Sequence, residues 1–217
     1  GALGIFIGIF ICQTGWGDIG PDILAPLKGD DMEAIRRIAE VVSPAAKESN
    51  RIAKVIVNEV NIAQGGESGS CNGGIIPSPL YKDTEKDWVT AVEKKATDGI
   101  PFFMDVMGCL FYQGFVDVPP DVEGPRDMQK AVAWWKKAAE LNCGLAKYRY
   151  GICLETGNGV PRDIKRAVDL YREAGELGVP WGWNNLGGMY NYNGGRPRDI
   201  KKAMEYWAKA ASMGVAR

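Results

Sequence analysis

The chain has 217 residues, with 26 lysines and arginines against 27 aspartates and glutamates, so its formal net charge is −1. A charge balance this close to neutral does not favour nucleic acid as a partner. The sequence also contains no histidine, which removes the usual general base of hydrolytic sites and the commonest metal ligand. We therefore expect a non-enzymatic protein with no cofactor, no metal site and no nucleic-acid partner.

The chain opens on an apolar run, and residues 1–17 carry no charged side chain. Seventeen residues are the lower limit of what crosses a bilayer as a helix. Three interpretations stay open: a short membrane span or re-entrant segment, a segment docked on protein in a larger assembly, and the remnant of a targeting sequence. We assign residues 1–27 as an anchor or docking segment and favour membrane contact through residues 1–17. The large apolar side chains of this segment are Leu3, Ile5, Phe6, Ile7, Ile9, Phe10 and Ile11.

Two amphipathic helices are predicted next, within a helical spacer that covers residues 28–64. The first begins near Met32, and the Ser43-Pro44 pair separates it from the second, which reaches about Ala63. One face of the second helix is apolar at helical spacing, with Ile52, Val55, Ile56 and Val60. Residues 65–82 are rich in glycine and proline, which predicts a flexible linker and the main domain boundary of the chain.

The remaining sequence contains the tripeptide Pro-Arg-Asp at Pro125, Pro161 and Pro197, so successive copies are 36 residues apart. A fixed period of this length is typical of stacked supersecondary units, which bury their apolar faces against one another. We predict an all-α fold, a short α-solenoid of helix-turn-helix repeats, preceded by helices and the apolar N-terminal segment. The array is expected to cover residues 83–217, divided into a half-repeat 83–99 and the repeats 100–143, 144–179 and 180–217.

The second helix of each repeat carries the same stripe of alanine, aromatic residue and alanine at positions i, i+4 and i+7. These residues are Ala131, Trp135 and Ala138, then Ala167, Tyr171 and Ala174, then Ala203, Trp207 and Ala210. The first helices share a glycine at Gly108, Gly151 and Gly187. A glycine inside a helix costs about 1 kcal/mol relative to alanine, so its recurrence predicts a contact too close for a Cβ atom.

Residues 144–179 and 180–215 resemble Sel1-like repeats, relatives of the tetratricopeptide class. The middle copy carries this resemblance with Tyr148-x-Tyr150-Gly151 and then Gly157-x-Gly159-Val-Pro161-x-Asp163. The resemblance covers roughly residues 83–217 and implies protein binding by a concave surface lined by the first helices. Secreted members with disulfide bonds carry a cysteine pair in each repeat, whereas the last copy here has no cysteine, which argues against that subclass.

The resemblance directs attention to side chains of the first helices. Aromatic residues combined with asparagine and arginine suit a recognition surface, and the enlarged turn after the first of these helices offers an apolar loop. The candidate protein-binding residues are Arg149, Trp181, Trp183, Asn184, Tyr192, Phe115 and Val116.

These features together favour an accessory subunit of a membrane-associated complex of the respiratory or photosynthetic type, which binds neighbouring subunits through its repeats. A location at an organellar membrane is favoured, and the organelle stays open. The alternative is a soluble adaptor or signalling regulator whose N-terminal segment docks on a partner protein.

Overall fold

A computed structural model describes residues 35–37, 51–63, 82–116, 126–192 and 198–214. Across these ranges the regular structure is helical and contains no strand, which agrees with the all-α prediction. Residues 35–37 belong to a helix as well, and Ile35 is buried. The helices with described ends are α1 Arg51–Ala63, α2 Lys82–Thr97, α3 Pro101–Gln113, α4 Met128–Glu140, α5 Gly144–Thr156, α6 Ile164–Glu176, α7 Pro180–Asn191 and α8 Ile200–Ser212.

The aspartate of each Pro-Arg-Asp tripeptide caps the helix that follows it. Asp127, Asp163 and Asp199 precede α4, α6 and α8, and each carboxylate accepts a hydrogen bond from the backbone N–H three residues later, at 2.9, 3.0 and 3.1 Å. Such a cap satisfies a donor that the first turn of a helix leaves without a partner. The repeated tripeptide therefore marks the start of every second helix.

Left-handed glycines end the first helices. Gly114 follows α3 with φ 72° and Gly157 follows α5 with φ 76°, a backbone conformation that other residues adopt only with strain. Each of these glycines lets the chain turn away from the axis of its helix. It then returns as α4 or α6 along the helix that it has just left.

The helices pair as α3 with α4, α5 with α6, and α7 with α8, and each hairpin packs on the next through α4 against α5 and α6 against α7. Helix α2 packs on α3 ahead of the first hairpin. This arrangement is the stacked α-solenoid that the 36-residue spacing of the tripeptides predicts.

The recurrent glycines lie where the aromatic residues of the partner helices press against the backbone. A Cβ atom added to Gly108 would lie under 3.0 Å from the Trp135 ring, and the same holds for Gly187 with Trp207. The indole N–H of Trp135 donates to the backbone oxygen of Asp105 at 3.2 Å. This close contact, predicted from the recurrence of glycine, holds the two helices of each hairpin together.

The spacer helix is part of the same core as the array. The predicted apolar face of α1 is buried and belongs to one cluster with α2 and α3, which includes Ile52, Val55, Ile56, Val60, Trp88 and Phe103. Helix α1 packs on both α3 and α2. The contacts therefore join residues 51–63 to the array, whereas residues 65–81 of the predicted linker and residues 1–27 lie outside the described part of the chain.

Candidate protein-binding site

The structure places the predicted binding residues in three different environments. Tyr192, at the end of α7, is 81% exposed. Trp181, Phe115 and Val116 are half-buried, and the rest of the inserted turn, residues 117–125, is outside the described residues. These four side chains keep at least part of their surface available to a partner.

Trp183 and Asn184 are buried in the array, which corrects the expectation that they lie on a surface. The Trp183 ring packs against Gly175 of α6 and stacks on Tyr206 of α8, with 5.7 Å between ring centroids and 7° between planes. The backbone oxygen of Asn184 accepts the indole N–H of Trp207 at 3.1 Å. These contacts hold α6, α7 and α8 together, so both residues serve packing.

Arg149 lies at the centre of a buried ion triad that consists of Glu59, Asp105 and Arg149. Its guanidinium donates to Oδ2 of Asp105 at 2.7 Å and to a carboxylate oxygen of Glu59. The side chain of Asp105 is fully buried and that of Glu59 nearly so. The triad joins α1, α3 and α5, and its arginine bonds within the chain.

The ion triad contains two carboxylates and only one guanidinium. This excess of negative charge affects the pKa values of its members. Burial raises the pKa of Asp105 to about 7, with the Arg149 charge opposing the rise and the Glu59 charge adding to it. Burial alone would lower the pKa of Arg149, but Asp105, Cys109 and Glu59 outweigh it and raise that pKa well above its ordinary value. The arginine stays charged, whereas Asp105 titrates near neutral pH.

Glu59, Asp105 and Cys109 also offer one ligand atom each within 4.8 Å of one another, a spacing that a metal ion would accept. The guanidinium of Arg149 already binds both carboxylates, which supplies the cation that the cluster needs. Burial raises the pKa of the Cys109 thiol well above its ordinary value, and a protonated thiol is a poor metal ligand. The chemistry of this cluster therefore fits a structural ion pair better than a metal site.

A second contact between α1 and the array involves another predicted binding residue. The guanidinium of Arg51 lies 4.6 Å from the centroid of the Phe115 ring, a distance at which the cation is attracted to the ring face. Arg149 and Phe115 are thus both contacted by α1. The sequence proposed both residues for binding a partner protein, and in the structure both contact a helix of the same chain.

The sequence pattern did not indicate Glu59 and Asp105 as partners of Arg149. One signal was present, since Asp105 is the single charged residue of α3, whose sequence is otherwise dominated by apolar side chains. A carboxylate in such a helix is seldom buried without a charged partner. Nothing in the sequence identified that partner as a residue 44 positions later.

No helix in the described ranges combines the length and the apolar character that crossing a bilayer requires. The predicted anchor, from Leu3 to Ile11, lies outside those ranges. The membrane assignment therefore stays a prediction.

Comparison with known proteins agrees with the geometry of the array. A family model described as Sel1 repeat matches residues 104–143, 144–179 and 184–215. No curated protein sequence matches the chain significantly. Among solved structures, a Sel1 repeat protein from Oxalobacter formigenes is 19% identical with a TM-score of 0.56, over 86% of this chain and 60% of that one.

A protective antigen of uropathogenic Escherichia coli strains, which displays an SLR fold, is 26% identical with a TM-score of 0.53. The alignment covers 82% of this chain and 33% of that one, so the present chain spans only part of the length of both solved proteins. Three matched repeats, stacked as helical hairpins, identify the array. The chain belongs to the Sel1 repeat family, whose repeats generally serve as scaffolds for protein binding.

Proposed function

We propose that this scaffold is an accessory subunit of a membrane-associated complex of the respiratory or photosynthetic type. In this proposal residues 1–17 contact the membrane and the repeats bind neighbouring protein subunits. Trp181, Tyr192, Phe115 and Val116 remain the candidate contact residues, because part of each side chain is accessible.

The ion triad is the observation that carries this proposal. It ties α1 to α3 and α5 through buried charge-assisted hydrogen bonds, and breaking such a pair costs about 3–5 kcal/mol. The N-terminal helical part and the array are therefore held as one unit. A membrane tether that precedes a helix packed on the array would keep the array close to the membrane, which suits a stationary subunit better than a mobile adaptor.

A carbonate wash of membranes from the native source tests the tether. Alkaline carbonate strips peripheral proteins, so we expect the full-length chain to stay in the membrane pellet. The matched variant replaces Ile7 and Ile9 by glutamate, which no apolar segment of this length tolerates in a bilayer, and it should appear in the supernatant. Release of the unmodified chain would contradict the membrane proposal and favour the soluble adaptor.

Cross-linking mass spectrometry on the purified native assembly tests the binding surface. A photoreactive residue at position 192 is expected to cross-link to a neighbouring subunit, since Tyr192 is the most exposed of the candidates. The same residue at position 183 serves as the control and should yield only links within the chain, because Trp183 is buried. Equal external cross-linking at both positions would show that the array opens in the assembly.

A further inference from the structure

The ion triad holds an unbalanced charge in the interior of the protein. When Glu59 and Asp105 are both ionised, their two negative charges face the single positive charge of Arg149. The two carboxylate side chains are 2% and 0% exposed, so water screens this excess charge poorly. A buried net charge is costly, and a carboxyl group in such a place takes up a proton more readily than in water. Binding of one proton makes the triad neutral.

Asp105 has an oxygen atom on which this proton can reside. Its Oδ2 accepts a hydrogen bond from Arg149 at 2.7 Å, whereas its Oδ1 is buried and has no hydrogen-bond partner among the described residues. An oxygen that no donor contacts gains little from a negative charge. A carboxylate oxygen of Glu59 lies within 4.8 Å of one of Asp105. Burial raises the pKa of Asp105 to about 7, which agrees with a proton at this position.

The charges that act on Asp105 come from the triad itself. Besides burial, which has the largest effect, the charge of Arg149 lowers the pKa of Asp105 and that of Glu59 raises it. The nearby Cys109 thiol stays neutral, because burial raises its pKa well above its ordinary value. The other charged side chains on α1, α2, α4 and α5 that are described and either partly buried or in contact with α3 are Arg51, Lys54, Lys95, Lys130, Lys147 and Glu155.

Departure of α1 would remove the excess charge from the triad. Glu59 is the member that α1 contributes, whereas Asp105 belongs to α3 and Arg149 to α5. Once α1 has left, Glu59 is solvated, and Asp105 and Arg149 remain as one anion beside one cation. An ionised Asp105 therefore favours the form without α1, and a protonated Asp105 favours the form with α1 docked.

The contacts of the array allow α1 to leave while the hairpins stay together. Helix α1 packs on α2 and α3, whereas the hairpins are joined to one another by α4 against α5 and α6 against α7. The buried apolar face of α1 holds it in either protonation state, so the proton shifts the docking equilibrium. We propose that the ion triad is a proton-dependent latch, in which a bound proton holds α1 on the array and loss of that proton favours release of α1 while the hairpins stay stacked.

The sign of the pH dependence follows from proton binding. The pKa of Asp105 is about 7 with α1 docked and approaches the ordinary aspartate value of about 4 when α1 has left. The docked form therefore binds more protons between these values, and docking weakens as pH rises. The ratio of docked to released α1 falls by up to about 100-fold from pH 5 to pH 8.

Amide hydrogen exchange of the full chain at pH 5 and pH 8, read by mass spectrometry, tests the latch. Protection is the intrinsic exchange rate at each pH divided by the observed rate, and it reports local opening of each helix. We expect lower protection in α1 than in α3 and α4 at both pH values, because α1 opens by itself. From pH 5 to pH 8 the protection of α1 should fall by up to about 100-fold.

Three variants show whether the triad causes this fall. Asp105→Asn imitates the protonated carboxyl group and should keep the protection of α1 the same at both pH values. Glu59→Gln removes the charge that α1 brings and should lose much of the fall, and it keeps the test valid if the first variant fails to fold. Glu93→Gln is the matched control, since Glu93 is exposed on α2, and it should behave like the wild type.

Two results with the wild type would overturn the inference. Equal protection of α1, α3 and α4 at each pH would mean that α1 opens only together with the array. Protection of α1 that does not change between pH 5 and pH 8, or a fall that Glu59→Gln leaves complete, would mean that the triad is not the proton site. The inference does not rest on the membrane proposal, because exchange in residues 51–63 is measured without a membrane.

Discussion

The first and the last described repeats of the array differ in how much of their surface is covered by other helices. At the N-terminal end, α1 packs on α2 and α3 and reaches α5 through the ion triad, so the first repeat has neighbours on both sides. At the other end, α8 is the last helix that the structure describes; it packs on α7 and leaves Ile200 and Met204 exposed. We call the part of the array next to α1 the closed end and the part next to α8 the open end. Each repeat is stabilised mainly by its neighbours. A substitution at the closed end should therefore lower the free energy of unfolding more than the equivalent substitution at the open end.

Replacing Arg149 by methionine should produce the largest loss. The change leaves Asp105 and Glu59 buried without their cation, and removing one partner of a buried ion pair costs about 3–5 kcal/mol. Urea unfolding followed by circular dichroism at 222 nm measures the loss. Asn185→Ala, at the equivalent position of the next repeat, is the control and should cost about 1 kcal/mol or less. Similar losses at both positions would show that the ion triad does not hold the closed end.

Truncating equivalent tryptophans compares the two ends directly. Trp135 is 4% exposed, so Trp135→Ala should lose about 3–5 kcal/mol, the usual cost of removing a buried aromatic ring. Trp207 makes the same contact with its glycine and donates the same kind of hydrogen bond, but it is half-buried. We expect Trp207→Ala to lose roughly half as much free energy of unfolding. Equal losses in the urea melts would contradict the ranking of the two ends.

The pH dependence of stability should come from the closed end. Folded Asp105, with a pKa of about 7, keeps its proton up to neutral pH, whereas an unfolded aspartate loses it near pH 4. The folded state therefore binds more protons between these values, and stability should fall by up to about 4 kcal/mol as pH rises from 4 to 8. Asp105→Asn should flatten this slope in urea melts at pH 5 and pH 8.

The reciprocal variant places a carboxylate in the last repeat. Asn184 occupies the position of Asp105 there and is buried, and the described residues include no following repeat that could bring an arginine against it, as α5 brings Arg149 against Asp105. Asn184→Asp should therefore introduce a loss at pH 8 that is smaller at pH 5, because an isolated buried carboxylate is destabilising when ionised. A variant with no pH-dependent loss would show that water reaches this site at the open end.

Features set by the period of the sequence could be predicted, because they are local. The contacts of Gly108, Gly151 and Gly187 follow from their recurrence and from the cost of glycine in a helix, and the structure confirms them. The position of α1 could not be predicted in this way. Its Glu59 bonds to Arg149, which lies 90 residues later in the sequence, beyond a glycine-rich stretch. Neither hydrophobic periodicity nor helix propensity indicates contacts between residues so far apart in sequence.

The candidate site was predicted only in part for a related reason. Trp183 was expected at a surface because tryptophan is common at interfaces, but it occupies the position that Lys147 holds in the preceding repeat. Lys147 forms an ion pair with Glu173 of α6, and Trp183 lies under Lys209 of α8 at the equivalent place. The same internal position of the repeat is therefore filled by a lysine in an ion pair in one copy and by a tryptophan beside a lysine in the next. Because lysine and tryptophan differ in polarity, a pattern based on residue types does not reveal that Lys147 and Trp183 occupy the same packing position.

The smallest expected effects come from two neighbouring glycines of α7. A Cβ atom on Gly187 would lie 2.5 Å from the Trp207 ring, whereas one on Gly188 meets nothing within 4 Å. Gly187→Ala should therefore lose about 1–3 kcal/mol through overpacking, and Gly188→Ala should gain about 0.5–1 kcal/mol through helix propensity.

Gly108→Ala extends this test to the closed end. The ring that its Cβ would meet is Trp135, which is held from both sides, whereas Trp207 at the open end has room to shift. The loss in urea melts should therefore be larger for Gly108→Ala than for Gly187→Ala, because overpacking costs most where the surroundings cannot relax. The reverse order would contradict the ranking of the two ends, because it would mean that α8 is held as firmly as α4 although Ile200 and Met204 are exposed.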